Sequence, residues 1–362
     1  ARIIETQNNL FHSKNELQLA EQDSLKQRIK QSRKQIEGYN AKKVAQYLGT
    51  KHNTYTVKKN DITTYVNNMH KYYSEPFGDS SQIPSYLLSR YAKKKVKIVL
   101  TGDGGDEICG GYNRYLYYKQ YHNLFSKNIF FRILLKIFIP TLFKLNKIIK
   151  LNLFNIWNLN SKLRKIKFIA NIKDFSGYYD ASISQGEFDN KYVKSLSLIN
   201  NKKYIDKNKY TFKDLMYLDL KLYFPDDILC KMDRAAMHNS IENRTPFANH
   251  KIIEHFFRLP SNLLINKFKT KIMLKKLLGY YLPQRQISNI KKGFSIPMSF
   301  YLKKYLSTWG DNVLDINKLN KHDLFNNEYL ISKWINFKKD KDDLNYHQLW
   351  NILVLQNWIN KH

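Results

Sequence analysis

Apolar positions recur first at helical spacing and then, briefly, as an unbroken run. In YNAKKVAQYLG, Ala41, Val44, Ala45 and Leu48 fall on one helical face, and Gly49 supplies a C-terminal stop. A short strand is predicted at His52 to Val57. Helices are predicted in DITTYVNNMHKYYSE and QIPSYLLSRYAKKK, and the β-branched run Val96 to Leu100 reads as a buried strand. Helix alternating with short apolar strand argues for a parallel α/β sheet. After Tyr112 the strand signals fade. Residues 120–210 are Lys-rich and aromatic, and residues 211–362 alternate helical faces with Pro and Gly stops, which predicts a mainly helical C-terminal half. The chain thus divides into a polar lead over 1–37 (an exposed helix or a disordered stretch), a partial α/β domain over 38–119, a basic helical insert over 120–210 and a helical region over 211–362.

Composition changes this picture little. A chain of 362 residues, 43% hydrophobic, can bury one large core or two modest ones. The formal charge of +31 is spread over nearly the whole length together with many Asn, Ile and Tyr. That spread fits a bulk compositional bias better than a focused surface for a polyanion, and no nucleic-acid partner is expected. Cys109 and Cys230 stand far apart and form no CxxC or Cys/His pattern, which suits a reducing cytosol, and the first residues show no signal peptide; a cytoplasmic protein is expected. The apolar stretch from Asn128 to Trp157 is broken by Arg132, Lys136, Lys144, Lys147 and Lys150, so no uncharged run approaches the roughly 20 residues of a membrane span. It reads as a helical insertion packed on its own domain, the alternative being an amphipathic pair lying on a membrane surface.

The densest chemistry lies in TGDGGDEICGGY, Thr101 to Tyr112, directly after the Val96–Leu100 strand. Ligands of open α/β sheets sit beyond the carboxyl ends of the strands, where glycine-rich turns let backbone N–H groups approach phosphates. Gly102, Gly104 and Gly105 permit such a turn, and Asp103, Asp106 and Glu107 crowd carboxylates that need a cation. A hard ion such as Mg²⁺, shared with substrate phosphates, meets that need; a solvated acidic turn is the bland reading of the same residues.

The loop does not stand alone. Tyr73 to Tyr115, YSEPFGDSSQIPSYLLSRYAKKKVKIVLTGDGGDEICGGYNRY, resembles the glutamine-hydrolysing asparagine synthetase family, in which D/E-P-F-x-D-S-S leads into S-G-D-x-G-D-E-x-x-G-G-Y. Leu218 to Phe247 is similar to the family's L-P-D-D-I-L-x-K-x-D-R-x-x-M…E-x-R-x-P-F block, KKGFSIP, Lys291 to Pro297, to its K-K-G-F segment, and HQLWNILVLQNWIN to its closing helix. The resemblance implies an incomplete α/β, parallel-sheet ATP-pyrophosphatase (adenine nucleotide alpha hydrolase-like) domain with a mainly helical C-terminal half.

It also implies a two-step reaction: the aspartate side-chain carboxylate attacks the α-phosphorus of ATP to give β-aspartyl-AMP and pyrophosphate, and ammonia, normally from glutamine, displaces AMP to give asparagine. Carried over, Thr101, Gly102, Gly104 and Gly105 would line ATP. Asp106, supported by Glu107, would hold Mg²⁺. Asp103 would orient ammonia or accept its proton, and Lys291 would reach the α-phosphate. Asp79, Ser80 and Ser81 would face the acceptor or cap a helix. Asp226, Asp227, Asp233 and Arg234 would shape the site or pair with one another, and Glu242 with Arg244 reads as an internal ion pair ahead of a substrate contact.

The chain also departs from the pattern. The family's pyrophosphate-binding string S-G-G-x-D-S does not occur in it, nor does a Cys-initiated glutaminase domain, so the polypeptide alone is expected to be impaired. A fragment, a frameshifted gene and a split enzyme completed by another chain all fit, the first two better. A homodimer, or a separate N-terminal glutaminase part, is the association expected. Relatives amidate other carboxylates by the same adenylation, which keeps a different acceptor open. The reading from another class is a non-catalytic basic protein that binds an anionic membrane or nucleic acid through residues 120–210.

Overall fold

The computed structural model describes residues 38–119, 174–184, 189–194, 204, 210–266, 269–287, 296–339 and 346–362. The chain falls into two compact units, one holding residues up to Thr56 together with Lys275–Ser288, the other holding Val57–Leu274 and Asn289–His362.

In the smaller unit, helix α1 covers 38–47 and ends at Gly49, whose φ of +66° is the left-handed stop expected. Its apolar face is only slightly covered: Ala45 is buried, while Leu48 is half exposed. The strand expected at His52 to Val57 does not form. Those residues carry no regular structure and are almost all exposed, as follows when no neighbouring strand takes up their backbone groups.

The larger unit is built on helices. In α2 (Lys59–Asn68) the residues Ile62, Tyr65 and Val66, continued by Met69, form a row at spacings of three and four, and all are buried. The Lys58 backbone N–H donates to Asp61 Oδ2 at 2.8 Å and fixes where that helix begins. In α3 (Gln82–Ala92) Ile83, Tyr86 and Leu87 turn into the same core, and Pro84 is tolerated because it falls in the first turn. Strand β1 (Ile98–Leu100) and the short helix α4 (Gly105–Ile108) follow, then α5 over 113–119 and α6 (Phe175–Ile183), which Asp174 caps by accepting from Gly177 N at 2.7 Å. Of the predicted basic insert, α6 and a few flanking residues are described; the stretch from 120 to 173 lies outside the described residues.

Helix α7 (Phe212–Leu218) opens on a Thr211–Asp214 capping box, in which the Thr211 N–H donates to Asp214 Oδ2 at 2.7 Å. It continues through Asp219–Leu229 with π-helical hydrogen bonding into α8 (Cys230–His238). Pro225 lies inside this stretch and brings no N–H, and the Cys230 N–H reaches back five residues to the Pro225 carbonyl. Strand β2 (Glu242–Arg244) follows, and sequence patterning misses it because its residues are polar and only three long.

β1 and β2 pair in parallel, Ile98 opposite Glu242 and Leu100 opposite Arg244, and form the sheet among the described residues. The fold is therefore mostly helical with a small parallel sheet. The expectation of a buried strand is corrected: Ile98 is 55% and Leu100 75% exposed, since no described layer covers them. The predicted helical C-terminal half is present, closing with α9 (Tyr346–Ile359). Leu349, Trp350, Leu353 and Gln356 on α9 are fully buried, and Trp350 Nε1 donates to the Gly78 carbonyl at 2.8 Å. One core gathers α2, α3 and these last helices; a second, around Tyr115, Phe175, Tyr179, Leu215 and Ile265, lies under α5–α7.

Candidate active site

The parallel register places the loop after β1. Thr101 N donates to the Arg244 carbonyl at 2.9 Å, and its Oγ1 sits 3.3 Å from Thr245 Oγ1, so the chain leaves the sheet at a fixed point. Gly104 then takes φ +83°, and a Cβ there would stand 3.1 Å from a Phe224 ring carbon and 3.2 Å from Phe247 Cβ. Both conformation and packing require glycine at this turn. A Cβ on Gly102 would meet no atom within 4 Å among the described residues, which leave that side of the loop open to approach.

The carboxylates of the loop differ in environment. Asp103 Oδ2 is buried without a hydrogen-bond partner among the described residues. Asp106 Oδ1 is ion-paired with Lys271 Nζ at 2.8 Å, both side chains being about a quarter exposed. Glu107 is 1% exposed and accepts from the Tyr112 hydroxyl at 2.6 Å. Burial pushes the Glu107 carboxyl above its usual range, with the Tyr112 hydrogen bond opposing. Burial also raises the Cys109 thiol to about 12, so it remains a neutral packing group.

Behind the loop runs a charged aromatic network. Arg114 grips Asp219 through Nε at 2.9 Å and Nη2 at 2.7 Å, and the Tyr115 hydroxyl donates to the same carboxylate oxygen. The Arg114 guanidinium lies 3.9 Å from the Tyr112 ring centre and 4.8 Å from that of Tyr223. Tyr223 in turn hydrogen-bonds Asp227 on the π-helical stretch, and burial followed by the Asp79 charge pushes Asp227 upward. Asp79 accepts from Lys231 at 2.6 Å and from the Ser81 backbone at 2.9 Å. Burial raises the Asp79 carboxyl, and the Lys231 ammonium with the Ser81 hydrogen bonds more than offsets it, so the net shift is downward.

Of the residues singled out from sequence, Thr101, Gly102, Asp103, Gly104, Gly105, Asp106 and Glu107 share the β1–α4 turn, and Asp79, Ser80, Ser81 and Asp227 gather around Lys231 or its immediate neighbours. Asp233 and Arg234 are exposed on α8, where Arg234 reaches Cys230 one turn back, and Asp226 is exposed as well. Glu242 and Arg244 pair with each other on β2 at 2.5 Å. Lys291 lies outside the described residues. Sequence reasoning misses Lys271, Lys231, Arg114 and Asp219. Arg114, Lys231 and Asp219 stand inside the quoted motifs, but nothing in the sequence separates Lys271 from the other 60 basic residues of a chain with 61 Lys and Arg. Among the described residues no group of three or more His, Cys, Asp or Glu gathers as a metal cage, and no helix is long and apolar enough to cross a membrane.

Comparison with known proteins returns one family. The family model described as asparagine synthase matches residues 24–360, beginning inside the stretch read from sequence as a polar lead. Asparagine synthetase (glutamine-hydrolyzing) 1 of Bacillus subtilis is 24% identical over 324 residues, 88% of this chain and 49% of that protein. A putative asparagine synthetase (glutamine-hydrolyzing) of Mycobacterium tuberculosis is 25% identical over 262 residues, 72% of this chain and 39% of that one. Putative asparagine synthetase (glutamine-hydrolyzing) 2 of Methanocaldococcus jannaschii is 44% identical over 73 residues, 20% of this chain and 14% of that protein. The chain spans about half or less of the length of these curated relatives.

Proposed function

The chain belongs to the asparagine synthase family, a family of ligases, and from that membership we propose that it carries the synthetase chemistry of an ATP-dependent amidoligase acting on the side-chain carboxylate of aspartate. In the first step a carboxylate oxygen bonds to the α-phosphorus of ATP and the bond to the β-phosphate oxygen breaks, releasing pyrophosphate. In the second, ammonia attacks the acyl carbon, loses a proton, and AMP departs. Thr101 and Gly102 line the nucleotide on the open side of the turn, with Gly104 and Gly105 shaping it. Asp103 takes the proton from the attacking ammonia, and Asp79 with Ser80 and Ser81 borders the acceptor. Lys291 supplies positive charge at the α-phosphate.

Mg²⁺ fits the carboxylates present. It needs only one or two of them alongside substrate oxygens, and the turn offers the partnerless Asp103 Oδ2 and an Asp106 already neutralised by a cation, Lys271. Asp106 would hold the ion, which would neutralise charge on the pyrophosphate. Glu107 supports the turn from beneath through Tyr112.

The observation that carries this reading is the buried, partnerless Asp103 Oδ2 in a glycine turn fixed at the carboxyl end of β1. The test incubates the protein with ATP, Mg²⁺, aspartate and ammonium and measures AMP and asparagine together. Asparagine formed in step with AMP, dependent on aspartate and lost in Asp106→Ala, is the expected result. AMP released without aspartate, or asparagine still formed by Asp106→Ala, would overturn it. Glutamate or a β-amino acid in place of aspartate tests the acceptor.

A further inference from the structure

Two glycines after α4, Gly110 and Gly111, form the bed on which one lysine is laid. Gly110 takes φ +70°, and a Cβ there would stand 2.9 Å from Cγ1 of the fully buried Ile265. Just beyond Ile265 the chain is pinned: the Asn266 N–H donates to the Lys269 carbonyl at 3.0 Å, and the Lys269 N–H donates to Asn266 Oδ1 at 2.8 Å. Lys271 follows with φ +54°, a left-handed conformation that costs any residue carrying a side chain. Its stem crosses Gly111, where a Cβ would stand 2.3 Å from Lys271 Cε, and its Nζ lies 2.8 Å from Asp106 Oδ1. Backbone strain and two positions without side chains converge on this single contact.

Resting on the reading of Asp106 as the metal ligand, we propose that Lys271 gates that site: its ammonium takes the cation position at Asp106, and a divalent ion binds there only by displacing it. Mg²⁺ needs its oxygens at about 2.0–2.1 Å, so an oxygen shared with the Lys271 ammonium would bring two positive charges together. The lysine can yield. Both side chains are about a quarter exposed, where water competes with an ion pair, whereas the Lys231 side chain that holds Asp79 is only 9% exposed and is sealed in place. A bare divalent ion meets the full opposition of Lys271. An ion that arrives with anionic oxygens of its own carries less net charge against it and enters more easily.

Mn²⁺ titrated into the 362-residue chain without nucleotide, followed by its paramagnetic resonance signal, tests the gate. Lys271→Met and Lys271→Gly, the second also relieving the left-handed backbone, should each bind the ion about tenfold or more tighter than the parent. Lys269→Met, which removes an exposed charge close by in the chain, should change the affinity by less than about twofold. Acylation of Lys271 by an amine reagent, read by mass spectrometry, should rise as Mn²⁺ saturates the parent, with Lys269 unaffected. Affinity unaltered in both Lys271 variants, an equal gain in Lys269→Met, or Lys271 acylation indifferent to Mn²⁺ would each overturn the proposal. Adding Asp106→Asn to Lys271→Met separates the two readings. If it abolishes binding that Lys271→Met alone did not strengthen, the gate is removed and Asp106 remains the ligand; binding that survives it removes both.

Discussion

Lys271 Nζ lies 2.8 Å from Asp106 Oδ1, and the space for that ion pair exists because residue 111 has no side chain. A Cβ on Gly111 would stand 1.9 Å from the Asp106 oxygen and 2.3 Å from Lys271 Cε. Gly111→Ala is therefore expected to break the pair and cost about 1–3 kcal/mol of stability. In an Asp106→Ala background the same change should cost much less, because the carboxylate it strikes is gone. Urea denaturation of the four proteins of this cycle measures the coupling, and strictly additive costs would show that Gly111 acts on something else.

Asp219 is fully buried and holds Arg114, whose side chain is 12% exposed. Removing the carboxylate alone strands a guanidinium in low dielectric, so Asp219→Ala should lose about 3–5 kcal/mol. Asp219→Asn keeps an acceptor for Tyr115 and should lose less. Equal losses in the two variants would mean that the retained acceptor contributes nothing and that the charge carries the whole effect.

Glu107 and Asp79 should respond to pH with opposite sign. Burial raises Glu107, so the folded state holds that proton more tightly than the unfolded chain; its contribution is present in acid and is lost as pH rises through the folded value. Glu107→Gln should then match or exceed the parent at neutral pH, by about 1 kcal/mol, and lose the advantage towards about pH 4. Asp79 is lowered, so its contribution is present above the ordinary carboxylate range and disappears as pH falls. Asp79→Asn should be destabilised at neutral pH and converge with the parent in acid. Melting temperatures across this range, recorded for both variants, check the two signs together.

Turnover by these 362 residues on their own should be slow, because the S-G-G-x-D-S string that the family resemblance calls for does not occur among them. Asp103→Asn should reduce amidation far more than pyrophosphate exchange, since its proposed role begins after the adenylate has formed. Ammonia-dependent synthesis at an ordinary enzyme rate of about 1–1,000 per second would contradict the first expectation. Parallel losses in both half-reactions would contradict the second.

How much of this was legible in the sequence follows from where the information lies. The α2 row of Ile62, Tyr65, Val66 and Met69 declares a helix by local spacing, and the β1–α4 turn declares itself by glycines and carboxylates within a few residues. Both survive from pattern to structure. The strand at His52 to Val57 failed because extended structure needs a neighbour, which local composition does not supply. β2 was invisible for the converse reason: Glu242, Asn243 and Arg244 have no apolar alternation, and the parallel register with β1 across 144 positions makes them a strand. Lys271 meets Asp106 across a comparable separation, and a lysine in so basic a chain carries no mark of that meeting.

The exposure of Ile98 and Leu100 bears on how the protein behaves in a tube. Among the described residues β1 pairs only with β2, so a short apolar ribbon with backbone groups along its other edge invites another chain to add to it. The net charge of +31 opposes that contact by repulsion between molecules. Added salt shortens the reach of that repulsion to about 10 Å at 0.1 M while leaving the apolar contact intact. The colloidal consequence is a protein that disperses best in dilute buffer and self-associates as ionic strength rises.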